Sequence, residues 1–246
     1  MGTERRKGPL LLIAGGITAV LAAFLVIRQV EDRQTSLKPK GQRSLEDVLR
    51  YAKPRAEAAF PQLESLTDGR PLALLAFKDA QVLEVWKSTS RGWSHVRDYP
   101  FAGYSGRLGP KLREGDGQIP EGIYRVELLN PNSSYHLSMK IDYPNAFDLQ
   151  RAAEDGRRDP GSDIYIHGDT RSVGCIPLGD AAIEELFYLV AANGEGNTEV
   201  VIAPSDLRRR PAELPRGSAP WVAELYGSIA AKLQSFQPAD SRTTHP

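Results

Sequence analysis

The spacing of apolar positions changes twice along this chain, and the changes divide it. Gly8–Ile27 carry no charge, with Arg5-Arg6-Lys7 before them and Arg28 after. As a helix these residues span roughly 30 Å, the thickness of a hydrocarbon core. A soluble core helix rarely stays apolar on every face for so long. The basic cluster predicts a cytoplasmic N-terminus and places the rest of the chain across the membrane. Residues 1–28 therefore read as an uncleaved, single-pass signal anchor. The alternative is secretion after signal-peptide cleavage, although Ala22-Ala23 runs on into Phe24-Leu25-Val26-Ile27 and offers no clean cleavage site.

Residues 29–43 lack apolar periodicity and read as a tether. Ser44 is a plausible N-cap, followed by Leu45, Val48, Leu49, Ala52, Ala56 and Phe60 at helical spacing. Pro54 is expected to kink or end that helix. From Pro71 short apolar or alternating runs take over, at 72–78, 82–87, 93–100, 123–128, 136–141, 163–167 and 199–203. A glycine- and proline-rich turn fills 109–122, and Tyr143-Pro144-Asn145 makes another. Two helices interrupt the strands: Ala181–Ala192, with Asp180 as N-cap, and an amphipathic helix over Trp221–Phe236. The pattern predicts a β-rich α+β domain over 71–205, with a linker and helix over 29–70 before it. A C-terminal loop and helix over 206–246 follow it.

Composition then narrows the partners. The 246 residues are 41% hydrophobic, and 31 basic side chains balance 31 acidic ones. No basic excess exists to displace counterions from a phosphate backbone, so no nucleic-acid partner is expected. Arg208-Arg209-Arg210 reads as a solvated face.

Cys175 is the sole cysteine. In an exported compartment a lone thiol forms no internal disulfide and risks oxidation, so it is either buried or kept for its reactivity. His167 ends a predicted strand eight residues earlier, and Gly168 and Gly174 allow close backbone approach. A thiol nucleophile needs a base, a group to orient that base, and backbone N–H groups aimed at the developing oxyanion. His167 can be the base and the Gly174 and Cys175 amides the oxyanion donors. An inert cysteine beside a structural histidine remains open at this point. A zinc site from His136, His167 and Cys175 lacks the usual close ligand spacing, so no metal or other cofactor is expected.

The segment His167-Gly168 followed by Ser172-Val173-Gly174-Cys175-Ile176-Pro177-Leu178-Gly179-Asp180 resembles the active-site signature of the L,D-transpeptidase family, with its YkuD-type catalytic domain. Three positions depart from the commonest pattern: Val173 replaces a histidine, Pro177 an arginine and Asp180 an asparagine. The compact His-Gly to Ser-x-Gly-Cys interval is similar to the YafK-like branch, as are GPKLREGDGQIPEGIY (109–124) and NPNSSYHLSMKIDYPNAFD (130–148). The resemblance implies a sandwich-like catalytic core with peripheral helices, Cys175 as nucleophile and His167 as general base. It makes the Gly168 carbonyl a candidate to orient the imidazole.

The implied substrates are peptidoglycan stem peptides, cut at an amide beside meso-diaminopimelate through a thioester. The implied setting is the inner membrane, with the catalytic domain in the periplasm or cell-wall space. Resolution of the thioester by an amine makes a transpeptidase. Resolution by water makes an amidase or peptidase, acting on a stem peptide or on a peptidoglycan-linked lipoprotein. A non-catalytic wall-binding module is the reading of another class. Lys111, Arg113 and Arg171 are candidate carboxylate binders, and Ser172 and His136 complete the candidate substrate contacts.

Overall fold

Burial along the first strand sets the architecture of the computed structural model, which describes residues 41–237. The predicted anchor at 8–27 and most of the tether lie outside the described residues. Among the described residues no helix is long and apolar enough to cross a membrane. In β1 (Leu72–Phe77) all six side chains are buried. Leu72, Leu74 and Ala76 enter one core, and Ala73, Leu75 and Phe77 enter another. A strand covered on both faces needs apolar residues at every position, which is why LALLAF does not alternate.

Around it stand β2 (Val82–Thr89), β3 (Gly92–Pro100), β4 (Gly122–Asn130), β5 (Ser138–Ile141), β6 (Tyr165–His167), β7 (Ile176–Pro177) and β8 (Thr198–Ala203). Their order is β3-β2-β1-β8-β4-β5-β6-β7 in a single mixed sheet. The pairs β1–β8 and β6–β7 are parallel. β4 serves both halves: Gly122–Arg125 pair with β8, while Val126–Asn130 pair with β5 across a register shift between Val126 and Leu128. A bulge of this kind bends its strand and raises the local twist. Val126, Met139, Ile141, Ile166 and Ile176 from the second half consequently share one core with Leu72, Leu74 and Val200 from the first. The sandwich-like core is thus a curled eight-stranded sheet, not two facing sheets.

Helix α1 (Leu45–Ala59) contains Pro54 and continues beyond it, so the proline does not end the helix. Val48, Ala52 and Ala56 are buried along one side, and that packing offsets the hydrogen bond Pro54 cannot donate. Ser44 caps it, its Oγ accepting from Asp47 N–H at 3.0 Å. A single turn, α2 (Leu63–Leu66), follows. Helix α3 (Ala146–Glu154), absent from the sequence reading, starts with a reciprocal capping box between Asn145 and Asp148. In α4 (Asp180–Asn193), Ile183, Leu186, Phe187, Leu189 and Val190 fill the hollow of the curled sheet. Its N-cap is Gly179 at φ +79°, and Asp180 is the first helical residue instead of the cap. Helix α5 (Trp221–Leu233) covers the opposite face with Val222, Leu225, Tyr226, Ile229 and Leu233.

One charge pair is buried completely. Lys78, just past β1, and Glu121, just before β4, are both 0% exposed at the side chain and lie 2.9 Å apart. Lys78 Nζ also donates to the carbonyls of Gly109 and Ile119, each at 2.8 Å. Glu121 accepts from Gly109 N–H at 2.8 Å and from the Tyr226 hydroxyl on α5 at 2.7 Å. Every lone pair and proton of consequence has a partner, as two charges out of water require. Removing one partner strands the other. Lys78→Met or Glu121→Leu alone should cost about 3–5 kcal/mol in urea unfolding. The double variant should recover most of that loss, and additive losses would show that the pair itself is not the source.

Candidate active site

β6 and β7 run in parallel with Ile166 opposite Ile176 and His167 opposite Pro177. Ile166 and Ile176 point into the core. His167 follows Ile166 and Cys175 precedes Ile176, so the register sets the two residues on neighbouring segments, one step to either side of the paired isoleucines. Register alone therefore brings together two residues from either side of a loop. That loop is tight: Asp169 sits at φ +59°, with its N–H donated to Asp180 Oδ1 at 2.8 Å. Arg171 and the Thr170 N–H hold the Asp169 carboxyl near pKa 2, the backbone bond being the larger influence.

His167 is 1% exposed. Its Nδ1 lies 2.5 Å from the Gly168 carbonyl oxygen. A carbonyl only accepts, so Nδ1 carries the proton and Nε2 is left with its lone pair. Burial pushes the imidazole below its ordinary pKa, against the opposing pull of the Gly168 bond and of Asp169. Gly168 has no room for a side chain: a Cβ there would stand 2.6 Å from Asp180 Oδ1 and 2.7 Å from the Tyr135 carbonyl.

Cys175 is half-buried, and its Sγ contacts the Asp163 carbonyl at 3.9 Å rather than the imidazole. Burial raises the thiol above its ordinary pKa, while the Tyr165 backbone and the Lys111 ammonium pull it down. Thiol and imidazole are both neutral at rest.

A chain of three hydrogen bonds fixes the backbone around the sulfur. Gly174 N–H donates to Ser105 Oγ at 2.8 Å, Ser105 Oγ meets Ser172 Oγ at 2.8 Å, and Ser172 Oγ donates to the Cys175 carbonyl at 2.7 Å. Since Cys175 O can only accept, each hydroxyl donates onward once. Gly174, at φ +100°, lies so close to the Gln118 carbonyl that a Cβ would approach it to 2.9 Å.

The structure thus gathers Cys175, His167, Gly168, Gly174 and Ser172, and gives several candidates tasks other than those expected. The Gly174 N–H, expected at the oxyanion, is committed to Ser105. Ser172 braces the loop and does not present its hydroxyl to a substrate. Lys111, a candidate carboxylate binder, is buried and paired with Asp116 at 2.8 Å, with a second bond to the Arg113 carbonyl at 3.0 Å. Its influence on Cys175 is through its field. Arg113 is exposed, and it is the backbone of Arg113 that joins this cluster, its N–H donating to Asp116 Oδ2 at 3.0 Å. His136 turns at φ +70° to reach Glu184 on α4, with Nε2 and Oε1 2.7 Å apart. Glu184 is also bound by Arg55 of α1 at 2.6 Å, so His136 joins loop to helices. Arg171 is exposed, paired with Asp169 at 2.8 Å, and lies over the Tyr135 ring at 5.3 Å.

Two residues at the site had no sequence signal of their own. Tyr135 stacks on His167 with ring centroids 4.6 Å apart and 30° between planes. Ser105 is 69 residues from Gly174 in the chain, and only the fold brings them together. Among the described residues no cluster of three or more metal-ligating side chains occurs.

A sequence profile of the L,D-transpeptidase catalytic domain, YkuD, matches residues 74–202, more than half of the chain. The chain belongs to that family, whose members are peptidoglycan-modifying enzymes. It is 33% identical over 141 residues to YafK of Escherichia coli K12, provisionally named an L,D-transpeptidase. The match covers 55% of each chain, so the protein spans about half the length of the curated relatives it matches. Among solved structures it is similar to the helical cell shape determining protein Pgp2 of Campylobacter jejuni, at TM-score 0.46 and 20% identity, over 68% of this chain and 60% of that one. It is also similar to Bd1075 of Bdellovibrio bacteriovorus, at TM-score 0.42 and 18% identity, over 67% and 56% of the two chains.

A neutral resting pair has a measurable consequence. Alkylation of Cys175 by iodoacetamide should follow one ionisation above the ordinary thiol value of about 8.5, with slow reaction throughout pH 5–7. A fast plateau reaching down to pH 5 would instead reveal a preformed thiolate–imidazolium pair.

Proposed function

We propose that the protein is an exported, membrane-anchored acyltransferase that uses Cys175 to cleave peptidoglycan stem peptides at an amide beside meso-diaminopimelate. The observation that carries this reading is the His167 ring. Its Nδ1 proton is committed to the Gly168 carbonyl, which leaves Nε2 basic, and the β6–β7 register brings the segments carrying His167 and Cys175 side by side. The family to which the chain belongs supports the substrate class, and the uncharged stretch after Arg5-Arg6-Lys7 supports the location.

Both partners being neutral at rest, proton transfer accompanies attack instead of preceding it. A rotation of the thiol from Asp163 O towards Nε2 begins the reaction. The Sγ proton passes to Nε2 as sulfur bonds to the substrate carbonyl carbon. Collapse of the tetrahedral adduct breaks the C–N bond, and the proton on Nε2 leaves with the departing amine. The thioester is then attacked by a second amine, which yields its proton to Nε2 and restores the thiol. The clamp formed by Ser105 and Ser172 keeps the Cys175 carbonyl and the Gly174 amide fixed throughout.

The test is incubation of the protein with muropeptides, with and without a primary-amine acceptor, read by mass spectrometry. The expected outcome is a thioester mass on Cys175 and a cross-linked or exchanged product that requires the amine. Product formed equally well without an amine would make the enzyme a hydrolase. Cys175→Ala should abolish turnover and His167→Gln should lower it by about 10²–10⁴-fold. Unchanged turnover in Cys175→Ala would overturn the thiol mechanism.

The pH dependence has a defined sign. The base works only when neutral, and its folded pKa is depressed by burial. The rate should therefore hold as pH falls through about 6.5, the ordinary imidazole value, and decline only below it. A decline centred at or above 6.5 would show that the imidazole is not shielded.

A further inference from the structure

The face of the His167 ring is occupied by an aromatic residue that the mechanism does not use. Tyr135 stacks on it at 4.6 Å and 30°, closer to parallel than the edge-on contacts seen elsewhere in the core. Resting on the proposed thiol chemistry, we propose that Tyr135 is the positioning residue of the general base: its ring fixes the imidazole plane so that Nδ1 meets the Gly168 carbonyl and Nε2 faces Cys175.

The placement of Tyr135 is built from its neighbours. Its N–H donates to Ser133 Oγ at 3.1 Å, and its carbonyl lies against Gly168 where no Cβ fits. The next residue, His136, takes a left-handed turn that side chains rarely adopt. Arg43 donates to its carbonyl at 2.5 Å, and its ring is tied to Glu184 on α4. Two helices therefore hold the segment that carries Tyr135, because Glu184 is shared with Arg55 of α1.

An imidazole with one hydrogen bond can still swing about that bond. A single Nδ1–H···O contact fixes one atom of the ring, not its plane. A flat partner on the face removes that freedom and keeps water off it, which is what a stacked ring supplies. The charged and titratable groups around His167 come from each packed element. They are Asp169 and Arg171 on its own loop, Asp180 on α4, His136 on the β4–β5 loop and Cys175 before β7. Asp169 and Arg171 pair with one another, and Arg171 rests over the same Tyr135 ring. The stack is therefore shielded by a cation that is itself neutralised.

The experiment reads His167 directly and needs no turnover. In a Cys175→Ala background, long-range ¹H–¹⁵N spectra give the imidazole tautomer and its titration for Tyr135, Tyr135→Phe, Tyr135→Leu and Tyr135→Ala. With Tyr or Phe, His167 should show one tautomer, protonated at Nδ1, and titrate below the ordinary value. Leu and Ala should mix the tautomers and raise the titration by about half a unit or more. In the intact enzyme the same two variants should lower kcat about tenfold with little change in KM, and Phe should restore it.

Tyr135→Leu keeps a bulky apolar side chain without the aromatic ring, so it decides the matter if the alanine variant does not fold. A leucine variant with the tyrosine tautomer and titration would overturn the proposal. So would a phenylalanine variant that behaves like alanine. An enzyme that proves inactive on muropeptides leaves the tautomer measurement standing, and a failed tautomer measurement leaves the thiol mechanism standing.

Discussion

The buried pair of Lys78 and Glu121 is the constraint on which the active-site surroundings depend. Lys78 directly follows the fully buried strand β1, and Glu121 directly precedes the strand that both halves of the sheet share. Between them the loop at 109–121 is pinned at Gly109 and at Ile119 by the same ammonium. That loop presents the Gln118 carbonyl to Gly174 and the Lys111 ammonium to the field at Cys175. Tyr226 extends the pair to α5, so the C-terminal helix participates in fixing the loop that packs against Gly174. Two charges without solvent are a poor way to gain stability, but they enforce one arrangement because every alternative leaves a charge unpaired.

Burial has a second consequence at the reacting pair. It disfavours the charged form of each partner, raising the thiol and lowering the imidazole. A preformed ion pair is thereby disfavoured twice, and on the proposed mechanism the base acts during attack. Lys111 and the Tyr165 backbone partly offset the effect on sulfur. On the proposed mechanism the site holds the thiol in its protonated form until a carbonyl arrives, and a protonated thiol is less open to oxidation than a thiolate.

Patterns of local spacing made most of the fold legible in the sequence. β1 reads as strand because six consecutive apolar residues are needed where both faces are covered, and α4 reads as helix because its apolar stripe fills the curled sheet. The two-residue β7 has too few positions for any period to show, and α3 has one buried residue, Ala152, although its Asn145–Asp148 capping box was present in the chain. At the site, Cys175, His167 and Gly168 were legible because they are close in sequence. Ser105 and Tyr135 were not, since register and loop packing place them. Lys111 and His136 show the converse. Their residue types suggested substrate contacts, but Asp116 and Glu184 were waiting for them in the fold.

Two of the three departures from the commonest family pattern, Val173 and Pro177, flank Cys175 in the chain, while Asp180 lies at the start of α4 beside Gly168. β7 is the edge of the sheet, and a proline is tolerated there because an edge strand has a free N–H side. The Pro177 carbonyl accepts from Ala102 N–H at 2.8 Å, so the 101–106 segment covers the edge in place of a further strand. That segment is the one that brings Ser105 to Gly174. Val173, 76% exposed, stands on the same loop without a hydrogen-bonding group of its own side chain to offer. The substitutions leave the Nδ1–H bond to Gly168, the Tyr135 stack and the serine clamp in place. What Val173 and Pro177 change is the character of the loop and edge strand flanking Cys175, apolar where the family commonly places a charged or titratable side chain, while Asp180 instead receives the Asp169 N–H. In the proposed reaction the half that forms the thioester depends on these retained groups. On the proposed mechanism the difference falls on what approaches the acyl-enzyme afterwards, where the exposed Val173 offers apolar contact and no hydrogen bond.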